Sequence, residues 1–158
     1  MERRQMETTA VPWAGGAYSM AIRVGNFVFT AGMSPHDAET GQLVGTTVEE
    51  QTAQVMRNLR ALLGELGVGL EAVVKTTVHL ADMAHDFRGF DQTYREFMSP
   101  PYPVRTTVGS RTKGDIRVEI DMVAVIRDSE GMIENPSEAP GPVYLVRERP
   151  ASIPRPPS

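Results

Sequence analysis

The sequence predicts one α+β domain in which two helices cover one face of a sheet and leave the other face open. Five segments alternate apolar and polar residues, which indicates strands because successive strand side chains point to opposite faces. Two further segments repeat apolar residues at helical spacing, each behind a residue that can cap a helix. The predicted order is β-β-α-β-α-β-β, and two amphipathic helices can cover only one face of such a sheet.

Length and composition set the limits of this domain. The 158 residues, 41% hydrophobic and 23% charged, fit one soluble domain with a core. We expect a flexible N-terminal lead at residues 1–10, the domain at 11–128 and a tail at 129–158. The tail is rich in proline, which removes backbone donors, so only residues 143–146 have a pattern that can pack against the domain.

Charge and residue content exclude several classes of function. A formal net charge of −4 provides no basic field for a nucleic-acid backbone, and the absence of cysteine excludes disulfides and thiolate chemistry. The three histidines match no metal-binding spacing, so no metal is expected. No apolar run reaches the roughly 20 residues of a membrane helix, and residues 1–6 do not resemble a signal peptide. A cytoplasmic protein is the expectation.

The N-terminal half begins with a predicted β-hairpin of residues 18–23 and 27–31, followed by a loop at 35–42. Thr47 and Glu50 have the spacing of a capping box, in which each side chain bonds the other residue's backbone amide. They predict the start of the first helix, which should end at Gly67. Its apolar face consists of Val55, Leu59, Leu62, Leu63 and Leu66.

The central strand and the second helix follow. In residues 73–80 we expect one face to carry Val74, Thr76, Val78 and Leu80, and the other to carry Lys75, Thr77 and His79. Asp82 is a predicted N-cap, and Pro100 and Pro101 end the helix. The aromatic residues at helical spacing are predicted to be core: Phe87, Phe90, Tyr94 and Phe97.

The last two strands are predicted at residues 104–109 and 116–126. One face of the final strand is an apolar stripe of Ile116, Val118, Ile120 and Met122. The opposite face carries Arg117, Glu119 and Asp121, and then Val123 and Val125. A second sheet face that is part polar and part apolar predicts packing against another subunit, with polar pockets at the seam.

Several of these segments resemble one known family, the RidA (YjgF) proteins, also called endoribonuclease L-PSP-like. The resemblance covers residues 11–126 almost without gaps, and the order and spacing of its motifs make it specific. The motifs are GAYS at 16–19, VGN at 24–26, TAG at 30–32, VVKTTV at 73–78, YREF at 94–97, YPVRTTV at 102–108 and IRVEID at 116–121.

The resemblance implies a chorismate-mutase-like fold, a homotrimer with clefts between subunits, and no cofactor. It implies a hydrolase that deaminates reactive enamines or imines, such as 2-aminoacrylate, to 2-keto acids and ammonia. The carboxylate-binding arginine of the family falls on Arg105, its tyrosine on Tyr18 and its water-positioning glutamate on Glu119. Arginine suits this task because its planar fork bonds a carboxylate bidentately. A lone buried guanidinium is costly, so we expect an empty cleft to hold water or an anion against Arg105.

The expected lining of the site departs from the family pattern. Ala31 stands where a serine is usual, Met33 follows Gly32 in place of a glutamine, Asp91 replaces an asparagine and Thr107 a cysteine. Thr107 shares a strand face with Arg105, because the two are two residues apart. The changed lining is compatible with a bulkier or more apolar acid.

Other readings of the same residues stay open. Arg105 can be a surface ion-pair residue, Glu119 a cross-strand charge partner and Tyr18 a packing aromatic. The alternatives to an imine deaminase are a specialised RidA-fold enzyme of secondary metabolism and a regulatory trimer that binds a ligand without turnover. Ribonuclease activity, attributed to some relatives, is disfavoured by the acidic net charge and the lack of a basic, aromatic stripe.

Overall fold

The computed structural model describes residues 3–6, 8–12 and 15–126, and it confirms a single α+β domain. The helices are α1, Val48–Glu65, and α2, Met83–Phe97, with a short 3₁₀ turn at Leu70–Ala72. The strands are β1 Arg4–Gln5, β2 Ala21–Val24, β3 Phe27–Thr30, β4 Val73–Leu80, β5 Val104–Gly109 and β6 Val118–Val125. The predicted tail, including 143–146, lies outside the described residues.

One six-stranded sheet carries the site, in the order β1-β2-β3-β6-β4-β5. Neighbouring strands are antiparallel except β4 and β5, which are parallel. The sequence did not predict β1, a two-residue strand in which Arg4 pairs with Arg23 of β2. β5 forms the far edge of the sheet, so one side of this strand has no neighbouring strand within the described residues.

The predicted caps and turns are confirmed. Thr47 Oγ1 accepts from the Glu50 amide at 3.2 Å, while Glu50 Oε2 accepts from the Thr47 amide at 3.1 Å. The backbone amides of Thr46 and Thr47 both donate to the Glu50 carboxylate, and they lower its pKa. Asp82 caps α2 by accepting from the His85 amide. Gly25 in the hairpin turn has φ +57°, a conformation that glycine adopts without steric cost.

The hydrophobic core lies between the two helices and one face of the sheet. The predicted stripe on β6 is buried, and Thr76, Val78 and Leu80 of β4 face the same way. The prediction for Val74 is wrong, because its side chain is exposed and Val73 is buried instead. The β4–β6 register shifts between Val73 and Lys75, and this irregularity turns Val74 out of the core.

The sheet face away from the helices, here called the open face, is partly apolar. Phe27 and Phe29 are about half exposed, with ring centroids 6.4 Å apart. Glu119 and Asp121 of β6 alternate with buried residues and therefore also lie on this face. Among the described residues, neither helix has the length and apolar character needed to cross a membrane.

Candidate functional site

The register of the edge strand determines where Arg105 points. Arg105 pairs with Thr76 and Thr107 with Val78, both of which face the helices. The prediction that Arg105 and Thr107 share a face is confirmed, since both are partly buried between exposed neighbours such as Thr106. Arg105 therefore extends from the edge of the sheet along the surface of α2.

Helix α2 presents an aromatic shelf to the Arg105 guanidinium. Its carbon Cζ lies 5.9 Å from the ring centroid of Phe87, 5.2 Å from that of Phe90 and 5.1 Å from that of Tyr94. These rings recur at helical spacing, and an aromatic ring face attracts a cation at such distances. The prediction that Phe87 is core is wrong: Phe87 is 40% exposed, whereas Phe90 and Tyr94 are buried.

Tyr94 joins this shelf to the core. Tyr94 is buried, and its hydroxyl lies 3.3 Å from Thr76 Oγ1 on β4. Burial raises the pKa of the Tyr94 phenol, and this effect outweighs the hydrogen bond with Thr76 and the charge of Arg105. Tyr94 is therefore a neutral hydrogen-bonding wall at neutral pH.

Asp91, one turn from the shelf residues, pairs with two arginines. Its Oδ1 accepts from Arg105 Nη2 at 2.8 Å, and its Oδ2 accepts from Arg95 Nε at 2.9 Å. Partial burial raises the pKa of Asp91, but the hydrogen bonds and charges of Arg105 and Arg95 prevail, and the pKa is lowered. The guanidinium of Arg105 is therefore not a lone charge: it forms an ion pair, as one of the readings of the sequence allowed, because the residue in the asparagine position is an acid.

These groups line a small pocket, here called the Arg105 pocket. Its volume is about 320 Å³, which suits a small organic acid. The side chains of Asp91 and Arg105 are only 19% and 24% exposed, while that of Arg95 is 65% exposed. With two arginines and one carboxylate the pocket has a formal charge of +1, which attracts a monoanion. Its walls are Asp91, Tyr94, Arg95, Tyr102, Pro103 and Arg105.

Glu119 and Gly32 form a second cluster, on the open face. Met33 and Ile120 exchange two backbone hydrogen bonds of 2.8 and 3.2 Å, which hold residues 31–33 along β6. A Cβ atom on Gly32 would lie 3.1 Å from Glu119 Cδ and closer still to Oε1. Only glycine therefore accommodates the observed position of the Glu119 carboxylate. Met33 itself is buried in the core and Ala31 is half-buried, so Met33 supports this cluster from behind.

His79 is a polar residue near Glu119 to which the sequence assigns no role. It pairs with Glu119 across β4 and β6, and its Nδ1 lies 3.0 Å from Ser110 Oγ. Alternation along β4 predicted its face, but the register that places it opposite Glu119 does not follow from a single strand. Tyr18 precedes β2, is 56% exposed and has its ring against Gly16. Among the described residues, no three histidine, aspartate or glutamate side chains come together as a metal site.

The chain thus brings the predicted residues together in two groups. Arg105 and Asp91 share the Arg105 pocket on the helix-covered side of the edge strand. Gly32 and Glu119 lie on the open face, where β4 separates β6 from β5. Because the two groups occupy opposite faces of the sheet, a single chain does not place Glu119 above the guanidinium of Arg105.

Comparison with known proteins gives consistent matches. The family model described as Endoribonuclease L-PSP matches residues 8–126. A RutC family protein of Pyrococcus abyssi is 40% identical over 125 residues, covering 78% of this chain and 98% of that protein. Human 2-iminobutanoate/2-iminopropanoate deaminase is 35% identical over 125 residues, covering 78% of this chain and 90% of the human protein. The crystal structure of RidA from a Psychrobacter species gives a TM-score of 0.73 at 34% identity, covering 78% and 99% of the two chains.

Proposed function

Because the chain belongs to the endoribonuclease L-PSP family, which includes proteins named as imine deaminases, we propose that it hydrolyses a small imino or enamino acid. The products are a 2-keto acid and ammonia, and no cofactor takes part. The observation that carries this proposal is the Arg105 pocket, a small cationic cavity in which an arginine is held against aromatic rings.

The chemistry needs binding, one water and proton transfer. A protonated imine carbon is electrophilic, so water adds to it directly: the water oxygen bonds carbon and the C=N electron pair moves to nitrogen. The nitrogen of the resulting carbinolamine takes up the proton that Glu119 received from water. The C–N bond then breaks with its electron pair going to nitrogen, which leaves as ammonia, and the hydroxyl oxygen loses its proton as the C=O bond of the ketone forms. Arg105 holds the carboxylate through N–H groups not bonded to Asp91, and Glu119 takes the proton from water. Acceleration comes mainly from positioning.

The site is completed by a second copy of the chain in a homotrimer. Arg105 and Glu119 lie on opposite faces of one sheet, so the Glu119 carboxylate that acts on the bound acid comes from the neighbouring subunit. The rings of Phe27 and Phe29 are half exposed, and no described strand pairs with the outer edge of β5. Both features favour such contacts, because isolated proteins seldom leave clustered apolar groups or strand edges uncovered.

The first test is acid binding and turnover in Arg105 variants. Loss of a charge-assisted bidentate contact costs roughly 1.5–3 kcal/mol, so Arg105→Ala should weaken pyruvate or 2-ketobutyrate binding at least about tenfold. Arg105→Lys should recover only part, because an ammonium lacks the planar fork. Arg60→Ala is a matched control, since Arg60 also lies over a ring, that of Phe97, away from the pocket.

Turnover is measured as 2-keto acid released from imino acids generated in situ. Release that depends on Arg105 supports the deaminase. Acid binding that depends on Arg105 with no release of keto acid from any imino acid in the panel would instead indicate a ligand-binding protein. Equal pyruvate affinity in the wild type and in Arg105→Ala would refute the proposal.

The second test is complementation between two inactive variants. Arg105→Ala and Glu119→Gln subunits are unfolded, mixed in equal amounts and refolded together. If each cleft takes Arg105 from one subunit and Glu119 from the next, about one quarter of the clefts in a random mixture contain both residues. Activity near one quarter of the wild type is expected, and no recovery would contradict a shared cleft.

A further inference from the structure

Asp91 adds a negative charge to a pocket proposed to bind acids. Its carboxylate is 19% exposed and bonds the same guanidinium, at 2.8 Å, that would hold the carboxylate of the ligand. Two carboxylates that share one planar guanidinium lie roughly 5 Å apart, since the fork is only a few ångströms wide. Asp91 therefore repels a bound acid whose only charge is its carboxylate.

The second partner of Asp91 does not cancel this repulsion. Arg95 bonds the other oxygen of Asp91, but its side chain is 65% exposed and its charge is screened by water. The remaining walls of the pocket, Tyr94, Tyr102 and Pro103, add no acidic or basic side chain. A ligand in the pocket thus meets two opposite charges side by side: the Arg105 guanidinium, which binds its carboxylate, and the Asp91 carboxylate next to it.

We propose that Asp91 makes the Arg105 pocket selective for acids that carry a positive charge on the nitrogen beside the carboxylate. Such ligands are 2-iminium acids and zwitterionic 2-amino acids, and they are preferred over 2-keto acids and 2-hydroxy acids. This inference rests on the proposed function, in that Arg105 binds the carboxylate. It adds the electrostatic form of the ligand, which the family relationship does not specify.

The selectivity has a consequence for the reaction. The protonated imine is the reactive form, because its carbon is the more electrophilic, and Asp91 stabilises that form next to the guanidinium. Hydrolysis replaces the cationic nitrogen by a neutral ketone oxygen. The product lacks the cationic nitrogen that offsets the repulsion of Asp91 in the substrate, so the same carboxylate that favours the substrate also favours release of the keto acid.

The test compares ligands of equal size and different charge. L-alanine and L-lactate differ only in an ammonium or a hydroxyl group beside the carboxylate, and pyruvate represents the product. Affinities for all three are measured by calorimetry or NMR titration on the wild type, Asp91→Asn, Arg95→Gln and Arg105→Ala. Asp91→Asn keeps the shape and the acceptor for Arg105 while it removes the charge.

Removing one charge at this distance should change the alanine-to-lactate affinity ratio by about tenfold. Asp91→Asn is expected to lower the ratio by this factor, largely through tighter binding of lactate and pyruvate. Arg95→Gln should raise the ratio, because it leaves the charge of Asp91 less balanced, and it should weaken the binding of all three acids.

The outcomes separate the two proposals. If Arg105→Ala abolishes binding of all three acids while neither Asp91→Asn nor Arg95→Gln alters the ratio, the selectivity is refuted and the acid site stands. A ratio that shifts in opposite directions in these two variants supports the selectivity, even if one of the proteins is less stable. If Arg105→Ala leaves all affinities unchanged, the acid site and the selectivity fall together.

Discussion

Replacing Gly32 by alanine should impair turnover with little effect on folding or acid binding. Gly32 is not among the glycines with positive φ, so alanine introduces no backbone strain there. The added Cβ would lie 3.1 Å from Glu119 Cδ and closer to Oε1, whereas carbon contacts are favourable at about 3.5–4.0 Å. The Glu119 carboxylate must therefore move by roughly 1 Å, as the flexible end of its side chain allows.

A displacement of this size is large for a group that positions water. A misplacement of about 1 Å can cost on the order of 100-fold in rate, so kcat for imino acid hydrolysis should fall about 10- to 100-fold. Stability should change by no more than about 0.5 kcal/mol, because only a partly exposed side chain moves. Pyruvate affinity should be unchanged, since pyruvate is bound by Arg105 in the Arg105 pocket and not by the Gly32–Glu119 cluster.

The assay follows keto acid release together with thermal unfolding and pyruvate calorimetry. Gly64→Ala is the matched control, because a Cβ at Gly64 would meet no atom within 4 Å apart from its chain neighbours and the nearby backbone of its own helix. It should leave kcat unchanged and stabilise α1 by up to about 1 kcal/mol. Wild-type kcat in Gly32→Ala would refute the reasoning, since the water-activating role of Glu119 could not survive such a displacement.

Three further predictions follow from other parts of the molecule. Thr47→Ala removes the N-cap of α1 and should cost about 1 kcal/mol of unfolding free energy in urea titrations, with the slope unchanged. Phe29→Asp places a charge on the open face and should yield a folded monomer in sedimentation experiments, whereas a stable trimer would contradict the proposed assembly. The lowered pKa of Asp91 means that its ion pairs stabilise the fold above the unfolded pKa near 4 and that this contribution is lost as pH falls through the folded pKa. The stability difference between wild type and Asp91→Asn should therefore be constant above about pH 5 and disappear in acid, as measured by urea unfolding across pH.

Local features of this fold were predictable because each depends on neighbouring residues. Thr47 and Glu50 are three positions apart, and Asp82 precedes a periodic segment, so the caps follow from spacing alone. The alternation of β6 likewise predicts that Glu119 lies on the face of the sheet away from the buried Ile120. The wrong prediction for Val74 shows where local sequence patterns fail, since a register shift depends on how two strands pair and not on the residue pattern of a single strand.

The sequence singled out Arg105 and Asp91, which the structure places in one pocket, but it did not predict how they are arranged. The pairing of Arg105 with Asp91 joins a strand to a helix 14 positions earlier, and it depends on the parallel register that aligns Arg105 with Thr76. No local pattern encodes that register. The placement of Met33 in the core has the same origin, because its depth is set by backbone bonds to Ile120, far along the chain.

The edge strand β5 links the proposed chemistry to the proposed assembly. In the part of the chain that the structure describes, this strand has one edge without a neighbouring strand and exposes Val104 and Val108, and such an edge promotes aggregation unless another chain covers it. The same strand carries Arg105, so a neighbour that covered this edge would also bring its open face, with Glu119, towards the pocket. Acid binding would then be a property of one chain and water activation a property of the contact. Substitutions in the Glu119 cluster should for this reason alter turnover and leave the acid affinity unchanged, because that affinity is determined by Arg105 and Asp91.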